Sequence, residues 1–340
     1  MQQTYLKISL IILAITSLFS CDKNRYDVDL SGVENNIEII RLEETFANFN
    51  NDDFEAQIDD LKANHDKLSE VLIEQVLVAG RKENPNYKVL KRFFLDSNFN
   101  VVNQKVKAKY ADFENEAEKL NNAFRYIKYY YPNDTMPEKA YTLISGFVVP
   151  GFTYDNILGI SLDWYMGQGF EYYHNQVFPA YMQRRMDAQY IVPQVVKGWY
   201  TDKYPFEANT DGTLLSEMIY WGKQLEFAKM MMPNVHDSII IEYTQANLKW
   251  CGENEGMMYK HFVDRKLWFS TDQNQTYRYV SDGPYTIAPD VPIESAPRIG
   301  WYVGWQIVRN YLQNEKGNPV EILFENNDYQ SIFKKARYKP

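Results

Sequence analysis

Trp250, Cys251, Glu253 and Glu255 fall within six positions of one another. Two carboxylates at such close spacing could serve as general acid and base. Side chains two apart on a helix point in different directions, however. The plainer reading of Glu253 and Glu255 is a pair of solvated acids, or partners of nearby cations. Cys251 has no histidine close to it in sequence, so a buried, inert thiol is the simpler assignment. A second set, Arg298, Trp301, Trp305 and Arg309, falls at helical steps. It could line a groove by cation–π contact or stacking, or pack into the core with its arginines snorkelling to water. With Trp250, Glu253 and Glu255 it forms the candidate binding face. The four histidines, His65, His174, His236 and His261, are scattered, and no pair sits one helix turn apart. No His-Glu-x-x-His, P-loop, Gly-x-Ser-x-Gly or Gly-x-Gly-x-x-Gly is present, so neither a metal nor a cofactor is called for.

The N-terminus sets the compartment. Lys7 precedes an unbroken membrane-compatible stretch over 8–19, then Ser20 and Cys21. That run is too short to span a bilayer and has the form of a secretory signal. Leu18, three positions before the cysteine, and Ser20 just before it resemble a lipobox. Residues 1–20 are thus read as a lipoprotein signal peptide, Cys21 as the lipidated N-terminus, and 21–35 as a tether. The rest becomes a domain in the cell envelope, outside the cytoplasm and held to a membrane by its acyl chains. With Cys21 lipidated, Cys251 is the only thiol left, which excludes an internal disulfide. A net charge of -9 argues against nucleic acid, whose phosphates need surplus Lys and Arg. The chain has 27 Tyr, 19 Phe and 7 Trp, which suits a dense core and would equally suit a glycan or protein surface.

These residues need elements to position them. The apolar alternation over 36–46 predicts a first strand. Asn51-Asp52-Asp53 caps a helical region carrying Leu61, Leu68, Leu72 and Val76, in which a lone His65 faces water. Asn84-Pro85-Asn86 caps a second helix with Val89, Leu90, Phe93 and Phe94 inward. Phe113, Ala117, Leu120, Phe124 and Ile127 step by four and three, the mark of a buried helix face. Residues 141–149 and 156–165 read as two strands. Helical pattern returns over 180–190, from Val192-Pro193-Gln194 onward, and over 213–232, 241–261 and 298–312. No repeat is present. Residues 36–340 form one α+β domain, predominantly helical, with a small sheet.

The C-terminal half carries distinctive strings: Val177-Phe178-Pro179-Ala180-Tyr181, the run from Ile191 to Tyr200, Met218 to Gln224, Trp250-Cys251-Gly252-Glu253-Asn254-Glu255, Gly283-Pro284-Tyr285-Thr286, and Gly300 to Arg309. With the segment from Phe124 to Pro132 and the lipobox, they resemble the gliding-motility lipoprotein family GldB of Bacteroidota over nearly the whole mature chain. The resemblance implies a membrane lipoprotein needed for rapid surface movement, associated with gliding-motility and type IX secretion proteins. That family also looks distantly like zinc metallopeptidases, in which strands precede a His-Glu-x-x-His helix and a later helix supplies Glu before Gly. At the corresponding places stand Val195-Val196-Lys197-Gly198-Trp199-Tyr200 and Trp221 before Gly222. The resemblance therefore implies a degenerate zincin-like scaffold without its ligands, and no enzyme. The alternative is a cryptic hydrolase or glycan-binding protein acting on cell-wall or surface polymers. Cys21→Ala is expected to abolish incorporation of labelled palmitate and to impair gliding; unchanged labelling would refute the lipobox.

Overall fold

The computed structural model describes residues 25–340, so the signal peptide and Cys21 lie outside the described residues. Besides a short hairpin pairing Gly80–Arg81 with Asn84–Pro85, it has one main sheet of four strands: β1 (Glu38–Arg41), β2 (Lys139–Leu143), β3 (Gly151–Tyr154) and β4 (Ile157–Ser161), in the order β1-β2-β4-β3. β1 and β4 run parallel to the central β2, and β3 is an antiparallel edge. β4 is buried throughout and β2 nearly so, as fits apolar, β-branched strands covered on both faces. β3 and β4 form a hairpin closed by Asp155 and Asn156, both at positive φ (+41° and +64°). Asx residues suit such a two-residue turn because they tolerate the left-handed region.

The sheet corrects the sequence reading in three places. The run over 36–46 is a strand only to Arg41, and Leu42–Phe46 is helical. The buried Glu43 carboxylate is held there by Arg41 and by the Thr142 hydroxyl at 2.7 Å. The strand expected over 141–149 ends at Leu143. Beyond it, buried Asp163 accepts the backbone N–H groups of Ser145 (3.2 Å) and Phe147 (2.7 Å) and winds the chain through a left-handed turn. Asn156 belongs to the hairpin turn, and β3 fills the gap the sequence reading left blank.

Helices cover this sheet and build a second layer. α1 (Glu114–Tyr130) buries the expected stripe, with Leu120, Phe124 and Ile127 inside. α2 (Ile191–Lys203), α3 (Leu214–Met231), α4 (Gln245–Glu253), α5 (Glu255–Asp264), α6 (Ile299–Asn314) and α7 (Tyr329–Ala336) complete the C-terminal half. The expected helix over 241–261 is broken twice, at Glu242, which has φ +60°, and at Asn254, which caps α4. The helix expected over 180–190 shrinks to Ala180–Gln183 and a short turn, Ala188–Tyr190. Val89 is exposed. His65 is half-buried against the Tyr141 ring at 5.4 Å instead of facing water, and burial pulls its pKa down. Among the described residues no helix is long and apolar enough to cross a membrane.

α3 and α6 make the closest helix contact. A Cβ on Gly304 would overlap the Met218 carbonyl oxygen, and one on Gly222 would overlap the Gly304 backbone. The two backbones therefore touch directly, which only glycine permits. The segment read as a tether is docked from Arg25 onward: Tyr26 is buried and donates its hydroxyl to Glu226 on α3. Arg25 donates to the Leu312 carbonyl at 3.3 Å, and Arg125 on α1 donates to the carbonyls of Val33 (2.8 Å) and Leu30 (2.6 Å). The sequence reading found no pattern there because the partners are single side chains from distant helices. At the other end, Lys223 on α3 donates to the Asn326 carbonyl at 2.5 Å and lies 5.4 Å from the Tyr329 ring. Gly304→Ala is expected to destabilise the fold by about 3 kcal/mol, since neither backbone can withdraw from the new methyl group; urea unfolding would measure it.

Candidate functional groove

α2 starts where Pro193 is tolerated in its first turn and stops at Tyr204-Pro205. Its inner face, including Ile191, Val196, Trp199 and Tyr200, is buried. Its other face presents Gln194, Lys197, Gly198 and Thr201, at the i, i+3, i+4, i+7 positions that share one side of a helix. These four residues floor a groove made of two cavities, of about 340 and 560 Å³, with Pro150, Gln194, Gly198 and Thr201 common to both. The outer cavity runs along the edge strand, past Gly151, Phe152 and Thr153. The inner one is walled by Trp164, Trp221, Gln224 and Trp301 and closed by Met182, Arg185 and Met186.

Beneath the inner cavity lies a buried charge cluster centred on Glu242. Lys197 and Arg185 pair with its two carboxylate oxygens, Arg185 at 2.8 Å, and Gln194 donates to it at 3.3 Å. Arg298 stands 4.0 Å away and also faces Asp282 at 3.7 Å; Arg185 pairs with Asp282 as well. Arg184 donates to the Glu242 carbonyl at 2.5 Å. Burial favours a neutral Glu242, yet Lys197, Arg185 and Arg298 outweigh it and hold the carboxyl well below its usual range. Burial pulls the Lys197 ammonium down despite Glu242. Three cations, Arg185, Lys197 and Arg298, thus meet two carboxylates, Glu242 and Asp282, while Arg184 reaches only the Glu242 backbone carbonyl. The floor carries surplus positive charge in a site of low dielectric, where charge acts strongly.

The aromatic wall is rigid. Trp301 stacks on Trp221 at 4.4 Å with 12° between planes, and Trp221 stacks in turn on Phe206. Arg298 lies over the outer face of Trp301 at 4.4 Å, and the Trp301 indole donates to the Val280 carbonyl at 3.0 Å.

The candidate face read from sequence does not hold together. Of its residues only Trp301 lines the groove. Arg298 is behind it, in the left-handed residue that caps α6, and is buried. Trp305 is fully buried and donates to Glu226 at 2.6 Å, while Arg309 lies over its ring at 3.8 Å and pairs with Glu226 (3.3 Å) and Asp237 (2.9 Å). These arginines do not snorkel; internal carboxylates hold them. Trp250 packs half-buried against the core. Glu253 on α4 is exposed and pairs with Lys249 at 3.7 Å, whereas Glu255 on α5 approaches the Tyr302 hydroxyl at 3.5 Å. Cys251 is buried, and burial raises its pKa. The sequence reading missed Gln194, Lys197, Thr201, Trp164 and Arg185 as one site. Its one available signal was the polar and glycine stripe on an otherwise apolar helix.

The chain matches the family model for the gliding motility protein GldB over residues 23–340. It belongs to that family. Its role is therefore in gliding motility. Neither a curated protein nor a solved structure gives a significant match. Among the described residues no group of three or more His, Cys, Asp or Glu side chains is arranged to hold a metal ion.

Gly198, like Gly252 on α4, has room for a side chain, unlike Gly222, Gly300 and Gly304. A Cβ on Gly198 would meet only the Thr153 hydroxyl oxygen, at 3.7 Å. Internal packing does not require this glycine, although glycine within a helix costs about 1 kcal/mol relative to alanine. Gly198→Ala is expected to raise stability by about 0.5–1 kcal/mol, measurable as an increase in Tm.

Proposed function

We propose that this chain is a non-catalytic lipoprotein, anchored in the cell envelope through Cys21, whose groove engages a component of the gliding or type IX secretion machinery. The observation that carries this reading is the character of the groove floor. Where the resemblance to zinc peptidases would put metal ligands stand the α2 run from Val195 to Tyr200, of which Lys197 and Gly198 face the groove, and Trp221 before Gly222 on α3. A lysine and an arginine at such a floor repel a divalent cation and attract an anion. The open stretch over Gly198 leaves room for an occupant without serving the fold.

The docked N-terminal segment sets how an anchored domain would sit. Only five peptide units separate Cys21 from buried Tyr26, a reach of at most about 17 Å. An acylated Cys21 would therefore hold the domain close against a membrane surface, which suits a subunit of a membrane machine. More than one acyl chain on the cysteine makes such anchoring stable.

The full chain purified from its own membranes is expected to contain far less than one zinc per chain by elemental analysis; stoichiometric zinc would overturn the reading of a scaffold without metal ligands. Cells carrying Gly198→Leu, which fills the groove from its floor, are expected to lose gliding while keeping normal amounts of folded protein. Normal gliding in that strain would remove the groove from the function.

A further inference from the structure

The outer cavity is bounded by an unpaired strand edge. β3 is the last strand of its sheet and pairs only with β4. The two-residue turn at Asp155-Asn156 makes Tyr154 and Ile157 a hydrogen-bonded pair, and the ladder alternates from there. Phe152 with Gly159 is the next such pair in the register, and Ser161 donating to the Pro150 carbonyl at 3.1 Å continues the alternation. Gly151 and Thr153 consequently turn their N–H and C=O groups away from β4. No described residue accepts or donates a backbone hydrogen bond there. Both residues are half-buried along the groove, so their outward backbone groups are open to a partner.

Three observations converge on one kind of occupant. The edge offers an alternating ladder of donors and acceptors, which an extended polypeptide matches. The floor beside it opens over Gly198, where a close-lying backbone would fit. The inner end carries surplus positive charge on Arg185 and Lys197. From Gln194 to Thr201 the α2 stripe spans seven residues, about 10 Å of helix, the length of about three residues of extended chain.

We propose that the groove binds an extended polypeptide segment, which adds to β3 as a fifth strand at Gly151 and Thr153 and places an acidic side chain about three residues further on, against Arg185 and Lys197. The stacked Trp221 and Trp301 form the wall along which that segment runs. A basic segment would meet like charge on Arg185 and Lys197, which outnumber their internal carboxylates once Arg298 is counted, so the charge at the inner end selects the sequence. This inference rests on the groove being a recognition site, as proposed above, and specifies the chemistry of what is recognised.

The test uses the full chain in detergent and two pools of fluorescein-labelled ten-residue peptides. Both alternate Val and Thr; one carries two Asp and the other two Lys at the same positions. Anisotropy is expected to show the Asp pool bound at least tenfold more tightly. On the unsubstituted chain, hydrogen exchange is expected to slow at the Gly151 and Thr153 amides when the Asp pool is added. Thr153→Pro removes the outward N–H from an edge position where proline is tolerated, and is expected to weaken binding at least tenfold with an unchanged circular dichroism spectrum. Failure of both pools to bind, equal binding of the two, or exchange unaltered at those amides would overturn the proposal. So would an oligogalacturonate or inorganic phosphate that binds the chain and displaces nothing from the Thr153 edge. The groove reading and the peptide chemistry fail separately. Lost gliding in Gly198→Leu without peptide binding keeps the groove and discards the polypeptide, and peptide binding with normal gliding does the reverse.

Discussion

The direct contact between α3 and α6 fixes most of what surrounds it. Gly222 and Gly304 bring the two backbones together beneath Met218, and each glycine is flanked by the tryptophans that matter most. Because Gly222 follows Trp221 and Gly304 lies between Trp301 and Trp305, the crossing decides where all three indoles go. On one side it lays Trp301 flat on Trp221 and so builds the groove wall. On the other it drives Trp305 into the core, where its N–H meets Glu226. Crossings this close leave no room for a side chain between the helices, so their geometry is set by backbone contact and tolerates little adjustment.

Two buried glutamates then organise the charges on either side of that crossing. Glu226 collects Tyr26, Trp305 and Arg309, and in doing so ties the N-terminal segment to the centre of the fold. Glu242 collects Lys197 and Arg185, with Arg298 near, and so joins α2, the 184–185 turn and the start of α6. Burying such groups is costly, and an apolar core could be as stable. What they contribute is position. Each ammonium or guanidinium is confined to one place, and the groove floor keeps its charge because Glu242 and Asp282 neutralise only part of it.

The two clusters differ in their access to solvent-filled space. The Glu226 cluster is closed over by the N-terminal segment. The Glu242 cluster lies beneath a cavity, between an aromatic wall and an open strand edge. The rings, the charge and the unpaired backbone groups would each constrain a different property of the proposed occupant: shape, charge and backbone conformation.

The sequence by itself determined the helical stripes, such as Phe113 to Ile127, because a periodic apolar face specifies both a helix and the side it buries. It also determined the α+β class and the family, whose Trp- and Tyr-rich strings are long enough to be distinctive. It led correctly to a buried Cys251 and solvated Glu253. It misplaced the Arg298–Arg309 set, because helical spacing shows which residues share a face and leaves open what that face meets. α6 meets α3, so Trp305 is core while Trp301 remains at the groove. Only the tertiary structure joined Arg185, Lys197 and Glu242, which are far apart in sequence and follow no motif. Only it revealed β3, a four-residue strand whose identity depends on pairing with β4, and the docking of Tyr26, which depends on a carboxylate 200 residues away. Local periodicity is written in neighbouring residues; long-range ion pairs and strand edges exist only once the chain has folded.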